Sequence, residues 1–205
     1  MKGKFITFEG CEGSGKSTQS RMLYSYLKRK GLSVIHIREP GGTEIGEQIR
    51  KILLNPNNKG MDPACETLLY MASRAEIVKD IIKPALDENK TVICDRFIDS
   101  TRAYQGYGLG VDMKMIEYVG RIVTEKIAPD LTIFLDVAIK KGLKRAGSIK
   151  DRIERRPLLY HQRVRKGYLN LARRFPQRIK IIKVDKNRNK TQAKIRKLVD
   201  KLLEI

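Results

Sequence analysis

The sequence predicts a three-layer α/β fold, a five-stranded parallel sheet with helices on both faces. Three observations carry that reading. Short β-branched apolar runs alternate with longer stretches of helical period, the first run opens onto a glycine-rich loop, and none of the 205 residues falls in a repeat, linker or low-complexity tract. The apolar runs at 5–9, 33–38, 91–95, 131–136 and 179–184 are near-continuous, as strands buried on both faces must be. Helical patterns lie between them at 16–29, 44–54, 62–83, 112–126, 138–146, 158–174 and 190–203. Asp62 followed by Pro63 is a helix opening, an N-cap acceptor before a residue whose missing N–H is not needed there, and Gly31 is a stop. One domain over residues 1–205 follows, since single cores commonly run to ~200 residues. Two segments break the rhythm: 38–43, rich in Gly and Pro, and 146–157, rich in charge. Loops of that kind carry function more often than stability.

Composition narrows the class. With 41% apolar and 32% charged residues the chain can bury a core, which excludes a disordered tract. No apolar run approaches the ~18 residues a membrane span needs. The stretch 1–10 is too short and interrupted for a signal peptide. A cytoplasmic protein without a membrane partner is expected. Cys11, Cys65 and Cys94 share no metal-ligand spacing, and their odd number argues against a disulfide framework. The net charge of +20 is lopsided: residues 1–137 carry an excess of +2, residues 138–205 an excess of +18. Such asymmetry suits a nucleic-acid surface, a nucleotide's polyphosphate or a solvated helical surface, and charge alone does not choose among them.

The strongest motif is Gly10-Cys11-Glu12-Gly13-Ser14-Gly15-Lys16-Ser17, which matches the phosphate-cradling loop G-x-x-x-x-G-K-[ST]. It lies between an apolar strand and a helical pattern, the order its mechanism requires. Glycines let successive backbone N–H groups turn inward around a phosphate, which a Cβ would obstruct. The helix that follows adds unpaired N–H groups and the positive end of its dipole. Lys16 supplies a mobile charge for the β- and γ-phosphates, and the Ser17 hydroxyl suits Mg²⁺. Gly10, Glu12, Gly13, Ser14, Gly15, Lys16, Ser17 and Thr18 are therefore the expected ATP-phosphate contacts, on a P-loop NTPase-type fold.

A second motif follows the strand at 91–95. Asp95 is expected at the C-terminal end of that strand, where doubly wound sheets bind ligands. Its carboxylate can hold the magnesium shell or orient a phosphoryl acceptor. Arg96 beside it can bridge the phosphates of two substrates. Phosphoryl transfer asks for alignment and for cations around developing charge, and little else.

The segments Phe8-Glu9-Gly10, Arg38-Glu39-Pro40-Gly41-Gly42-Thr43, Asp95-Arg96-Phe97-Ile98-Asp99-Ser100 and Ala103-Tyr104-Gln105-Gly106 resemble bacterial-type thymidylate kinase in order and spacing. Ala72-Ser73-Arg74 and Asp151-Arg152-Ile153-Glu154 are similar too, so the resemblance spans essentially the whole chain. It implies transfer of the γ-phosphoryl group of ATP to dTMP with Mg²⁺ held at Ser17 and Asp95, in a homodimer packed through helices. It further implies that Arg50 and Arg96 hold the acceptor monophosphate, with Glu39 nearby and Ser100 in the same pocket. Tyr70, where the family usually has Phe, would stack on thymine. Arg74 would donate to a thymine carbonyl, Thr101 and Gln105 would complete the base edge, and Tyr104 would crowd the ribose 2′ position.

The stretch 144–157 holds Lys144, Arg145, Lys150, Arg152, Arg155 and Arg156 and reads as a basic lid that closes over the transferring phosphate. The variable cradle positions Cys11, Glu12 and Ser14 contain no Arg, so charge stabilisation must come from elsewhere. In the family such cradles go with a basic lid residue, which points to Arg152. Where the family continues with Gln and acidic residues, this chain has Arg155-Arg156-Pro157. Lys16, Asp95, Arg96, Arg152 and Glu39 form the expected catalytic set. The turn at 185–189 lies where such folds wrap the donor base. Another nucleoside monophosphate kinase is the alternative within the class. A nucleic-acid-binding ATPase is the alternative outside it, disfavoured because the basic residues interleave with apolar ones as on amphipathic helices.

Overall fold

The computed structural model describes residues 3–145 and 151–205. Its sheet comprises β1 (Phe5–Glu9), β2 (Val34–Arg38), β3 (Thr91–Asp95), β4 (Leu131–Asp136) and β5 (Ile179–Lys183), in the order β2-β3-β1-β4-β5 with every pairing parallel. β1 is central. The crossover leaving β1 runs past β3 to β2, and the one leaving β3 runs the other way, past β1 to β4. Loops leaving the C-terminal ends of β1 and β3 therefore meet over one crevice, the topological switch point where open α/β sheets bind ligands. The register pairs Phe8 with Asp95 and so sets that aspartate beside the start of the cradle.

Side chains alternate across β1. Ile6 and Phe8 enter a core formed with Leu23 and Leu27 of α1 (Lys16–Arg29) and, from the C-terminal helix Arg188–Leu203, Ile195 and Val199. Phe5 enters the opposite layer, where α2 (Glu44–Leu54), α3 (Pro63–Ile77), a π-helical turn at Val78–Ile82 and α4 (Lys83–Asp87) lie. Thr7 and Glu9 face that same layer, so this side of the central strand is polar towards its C-terminal end.

Asp62 caps α3 as its sequence suggested, its carboxylate accepting from the N–H groups of Ala64 (2.8 Å) and Cys65 (3.2 Å). The helical pattern at 62–83 is, however, not one α-helix: the π-helical turn interrupts it just before Pro84. Proline has no N–H for the Asp80 carbonyl and its ring crowds that oxygen, so the ladder rearranges one turn early. A further helical stretch, α5 (Ile98–Thr101) running into a π-helical segment at Arg102–Gly108, has no counterpart among the sequence-based patterns. Nearly every residue in it is buried, polar ones included, so no apolar stripe marks it. α6 (Met113–Val123), α7 (Ile139–Arg145), α8 (Leu158–Arg174) and α9 (Arg188–Leu203) complete the layers. The expected lid at 144–157 lies partly outside the described residues. Of it, Lys144 and Arg145 end α7, and 151–156 form turns leading into α8.

Candidate active site

The cradle joins β1 to α1. Its turn depends on Gly13 (φ +64°), where a Cβ would stand 2.0 Å from the Gly142 carbonyl oxygen of α7. α1 begins with Gly15 as N-cap, makes no side-chain cap bond and has no acidic residue in its first turn. Its leading N–H groups and dipole are thus left for an anion. Lys16 is buried and donates to the Cys11 carbonyl (3.1 Å), so its ammonium rests against the loop it would serve. Burial, and next the Arg96 guanidinium, lower its pKa. The thiols of Cys11 and Cys94 are both buried, and burial pushes the Cys11 thiol up to about 12, so neither is a nucleophile.

At the end of β3, Asp95 Oδ2 accepts from the Ser17 hydroxyl, which joins the two motifs across the crevice. Arg96 follows with φ +76°, a left-handed conformation costly for a residue with a Cβ. Its N–H donates to the Phe8 carbonyl (2.9 Å), and its guanidinium contacts the Gly10 carbonyl (3.2 Å), Ser100 Oγ (3.1 Å) and the Tyr104 hydroxyl (3.1 Å). Both Glu12 oxygens also face it, at 3.1 and 3.0 Å. The Glu12 side chain is a partner the motif pattern does not reveal, since that position is free in the pattern. Burial opposes its ionisation, but Arg96 and Lys16 outweigh burial and hold the carboxyl down at about 2. Glu9, one residue before the cradle, behaves oppositely: burial and the nearby Asp99 charge raise it to about 7. It accepts from the Phe97 N–H (2.8 Å), Ser100 Oγ (2.6 Å) and the Tyr168 hydroxyl (2.8 Å) and so anchors the Arg96 loop from beneath.

These groups line one cavity of about 380 Å³. Glu12, Gly13, Gly15, Lys16, Ser17 and Thr18 form its cradle side, and Asp95, Arg96 and Ser100 its floor. Tyr70, Thr101, Gln105, Glu39 and Arg50 line the same cavity, as does Tyr104, which lies against Arg96. Arg50 donates to the Pro40 carbonyl (2.9 Å), and the Tyr104 hydroxyl donates to Glu12 Oε1 (2.6 Å). Four expected residues do not line the cavity. Gly10 and Ser14 are buried within the cradle. Arg74 lies behind Glu39 and Thr101, pairing with Glu39 Oε2 (2.7 and 2.8 Å) and donating to Thr101 Oγ1 (3.0 Å). Glu39 Oε1 is buried without a hydrogen-bond partner among the described residues, and burial raises the carboxyl despite Arg74.

Arg152, the fourth, is directed away from the cradle. Its Nε donates to the Leu53 carbonyl (2.7 Å) and its Nη1 pairs with Glu66 (2.6 Å), while Nη2 is buried without a partner among the described residues. Glu66 is fully buried and also holds Arg156 (2.6 Å) and Gln105 (2.8 Å). Sequence reasoning missed it. The available signal was its spacing: Glu66, Tyr70 and Arg74 fall four apart on one helical face. From the lid's end, Asp151, Ile153 and Glu154 line the cavity, so acidic groups reach it just ahead of the Arg155-Arg156-Pro157 departure.

A glycine-rich loop leading from a central parallel strand into an uncapped helix places the protein among the P-loop nucleotide-binding enzymes. Comparison with known proteins narrows this. A thymidylate kinase family profile matches residues 8–195. A thymidylate kinase of Symbiobacterium thermophilum is 47% identical over 200 residues, covering 97% of this chain and 94% of its own length. One from Halothermothrix orenii is 52% identical over 182 residues, covering 85% and 87%. The crystal structure of thymidylate kinase from Ehrlichia chaffeensis matches with a TM-score of 0.80 at 36% identity, covering 97% of this chain and 99% of that one. The chain belongs to the thymidylate kinase family, whose members are ATP-dependent nucleoside monophosphate kinases.

Proposed function

We propose that this enzyme, as a single P-loop kinase domain over 1–205, transfers the γ-phosphoryl group of ATP to a phosphate oxygen of dTMP. The products are dTDP and ADP, on the way to dTTP. The observation that carries this is the shared cavity: the cradle, Asp95 and Arg96 line the same space as the aromatic and polar residues Tyr70, Thr101, Tyr104 and Gln105. Its volume suits the acceptor nucleotide with the phosphates it meets.

Within it, the cradle N–H groups and Lys16 hold the donor's phosphates. Arg96, steadied by Glu12 and stacked over Tyr104 at 4.8 Å, draws the acceptor phosphate into line with Arg50. The acceptor oxygen forms the new P–O bond as the bond to the ADP oxygen breaks, and the surrounding cations bear the charge that spreads onto the phosphoryl oxygens. Tyr70 offers a π-face to the base, Thr101 and Gln105 offer polar edges, and Arg74 contributes through Thr101 and Glu39.

Ser17 and Asp95 fit Mg²⁺: two hard oxygen donors converge beside the cradle and would hold the ion there together with phosphate oxygens and water. Bound there, it would neutralise charge on the β- and γ-phosphates. Arg152 serves as the lid cation once ligands draw it from Glu66. Dimerisation is supported by the exposed apolar Leu68 on α3 and Tyr118 and Ile122 on α6, two helices that pack together. A cytoplasmic setting agrees with free cysteines and with the finding that no described helix is long and apolar enough to cross a membrane.

The test is turnover of a panel of nucleoside monophosphates with ATP and Mg²⁺. dTMP is expected to give the highest kcat/KM, and faster turnover of AMP, GMP or CMP would replace the substrate assignment.

A further inference from the structure

We propose that Glu66 is the positioning residue that sets the base selectivity of the site, by dictating which end of the Gln105 amide faces the substrate. The inference rests on the reading of Gln105 as part of the base-facing wall.

An amide side chain presents an acceptor at one end and donors at the other, and its last torsion has two nearly equivalent settings. Left alone, Gln105 could read either pattern. It is not left alone. Gln105 is buried on α5's continuation, lines the cavity, and donates from Nε2 to Glu66 Oε1 at 2.8 Å. A carboxylate only accepts. The end of the amide nearest Glu66 is therefore the nitrogen on physical grounds, whichever way an amide would otherwise be assigned. Glu66 is kept in that role by guanidiniums on its other oxygen: Arg152 Nη1 and Arg156 Nη2, each at 2.6 Å, of which Arg156 remains when ligands draw Arg152 to the cradle. It cannot rotate away without stranding buried charge.

With an Nε2 hydrogen bonded to Glu66, the amide is held nitrogen-first towards that carboxylate, and its carbonyl Oε1 is the acceptor left for a ligand in the cavity that Gln105 lines. A fixed acceptor favours a base whose ring nitrogen N3 carries hydrogen, as in thymine or uracil. It repels one whose N3 carries a lone pair, as in cytosine. Tyr70 lies one turn along α3 from Glu66, so the stacking surface and the group that orients the edge reader descend from one helical face.

The experiment compares dTMP and dCMP as competing ligands of the full-length enzyme, reading KM for dTMP against Ki for dCMP. Glu66→Gln lets position 66 donate as well as accept and so frees the Gln105 amide. The dCMP-to-dTMP ratio is expected to fall by about tenfold or more, the scale on which a mismatched buried hydrogen bond discriminates. Glu66→Asp keeps a charge for the arginines but withdraws it from Gln105, and it should move the ratio in the same direction if Glu66→Gln does not fold. Thermal melts report folding in each case. Gln105→Leu should collapse the ratio with Glu66 intact. If it does not, the base-edge reading of Gln105 fails and the proposal with it. If Gln105→Leu collapses the ratio while the Glu66 variants keep it, or shift both ligands in parallel, the proposal alone is overturned.

Discussion

Glu12 and Glu9 sit three residues apart and burial raises both, yet they end on opposite sides of the ordinary value. Arg96 and Lys16 outweigh burial at Glu12, whereas the Asp99 charge adds to it at Glu9. Glu12 is held at about 2 in the folded chain against an ordinary value of 4.5. Its contribution to stability is present above that ordinary value and is lost as pH falls from there towards 2, a span worth about 3 kcal/mol. Glu12→Gln should accordingly be less stable than the unaltered enzyme at pH 7, with the gap closing in urea melts taken towards pH 3. An unchanging gap would mean Arg96 does not depend on this charge. Glu9, raised to about 7, has the contrary sign: it favours the fold fully below 4.5 and loses that contribution as pH rises through 7. Neither shift could be read from the chain. The cradle pattern leaves position 12 unrestricted, and nothing local announces that Arg96, 84 residues away, lies beside it.

Among the elements, the cradle and α7 touch without side chains between them. Gly13 and Gly142 pack so closely that a Cβ on Gly142 would stand 2.3 Å from the Glu12 carbonyl oxygen. That carbonyl belongs to the loop's own backbone and has no room to retreat. Gly142→Ala is expected to cost about 1–3 kcal/mol of stability, as overpacking typically does, and to weaken ATP binding by displacing the loop. Melting and titration with a non-hydrolysable ATP analogue check both, and unaltered ATP affinity would show that the loop does not depend on α7. The strands were legible because a strand buried on both faces needs an unbroken apolar run, and runs such as Thr91–Asp95 stand out. The helical stretch from Ile98 to Gly108 was not: Asp99, Ser100, Thr101 and Gln105 are buried there through pairing with partners on other elements, so it carries no apolar period to find.

For the molecule as a whole, the lopsided charge is partly spent internally. Arg165 pairs with Asp136, and Arg178 with the buried Asp99, each tying the basic C-terminal third to the sheet or the site. The remaining apolar exposure on α3 and α6 calls for a cover. Tyr118 is 71% and Ile122 59% exposed. On the proposed dimer, Tyr118→Glu with Ile122→Lys should give a monomer in light scattering where the unaltered chain gives twice its mass, and a variant that stays dimeric would move the interface elsewhere. The linear chain determined the strand–cradle–helix order, the parallel sheet and the class of chemistry, because each depends on contacts between near neighbours or on burial that composition records. Folding alone decided that Arg152 rests on Glu66 rather than over the cradle, that Arg74 stands behind the pocket wall, and that Glu12 holds Arg96. Those pairings join charges far apart in sequence, and which of many basic residues meets a given carboxylate is settled only when the layers pack.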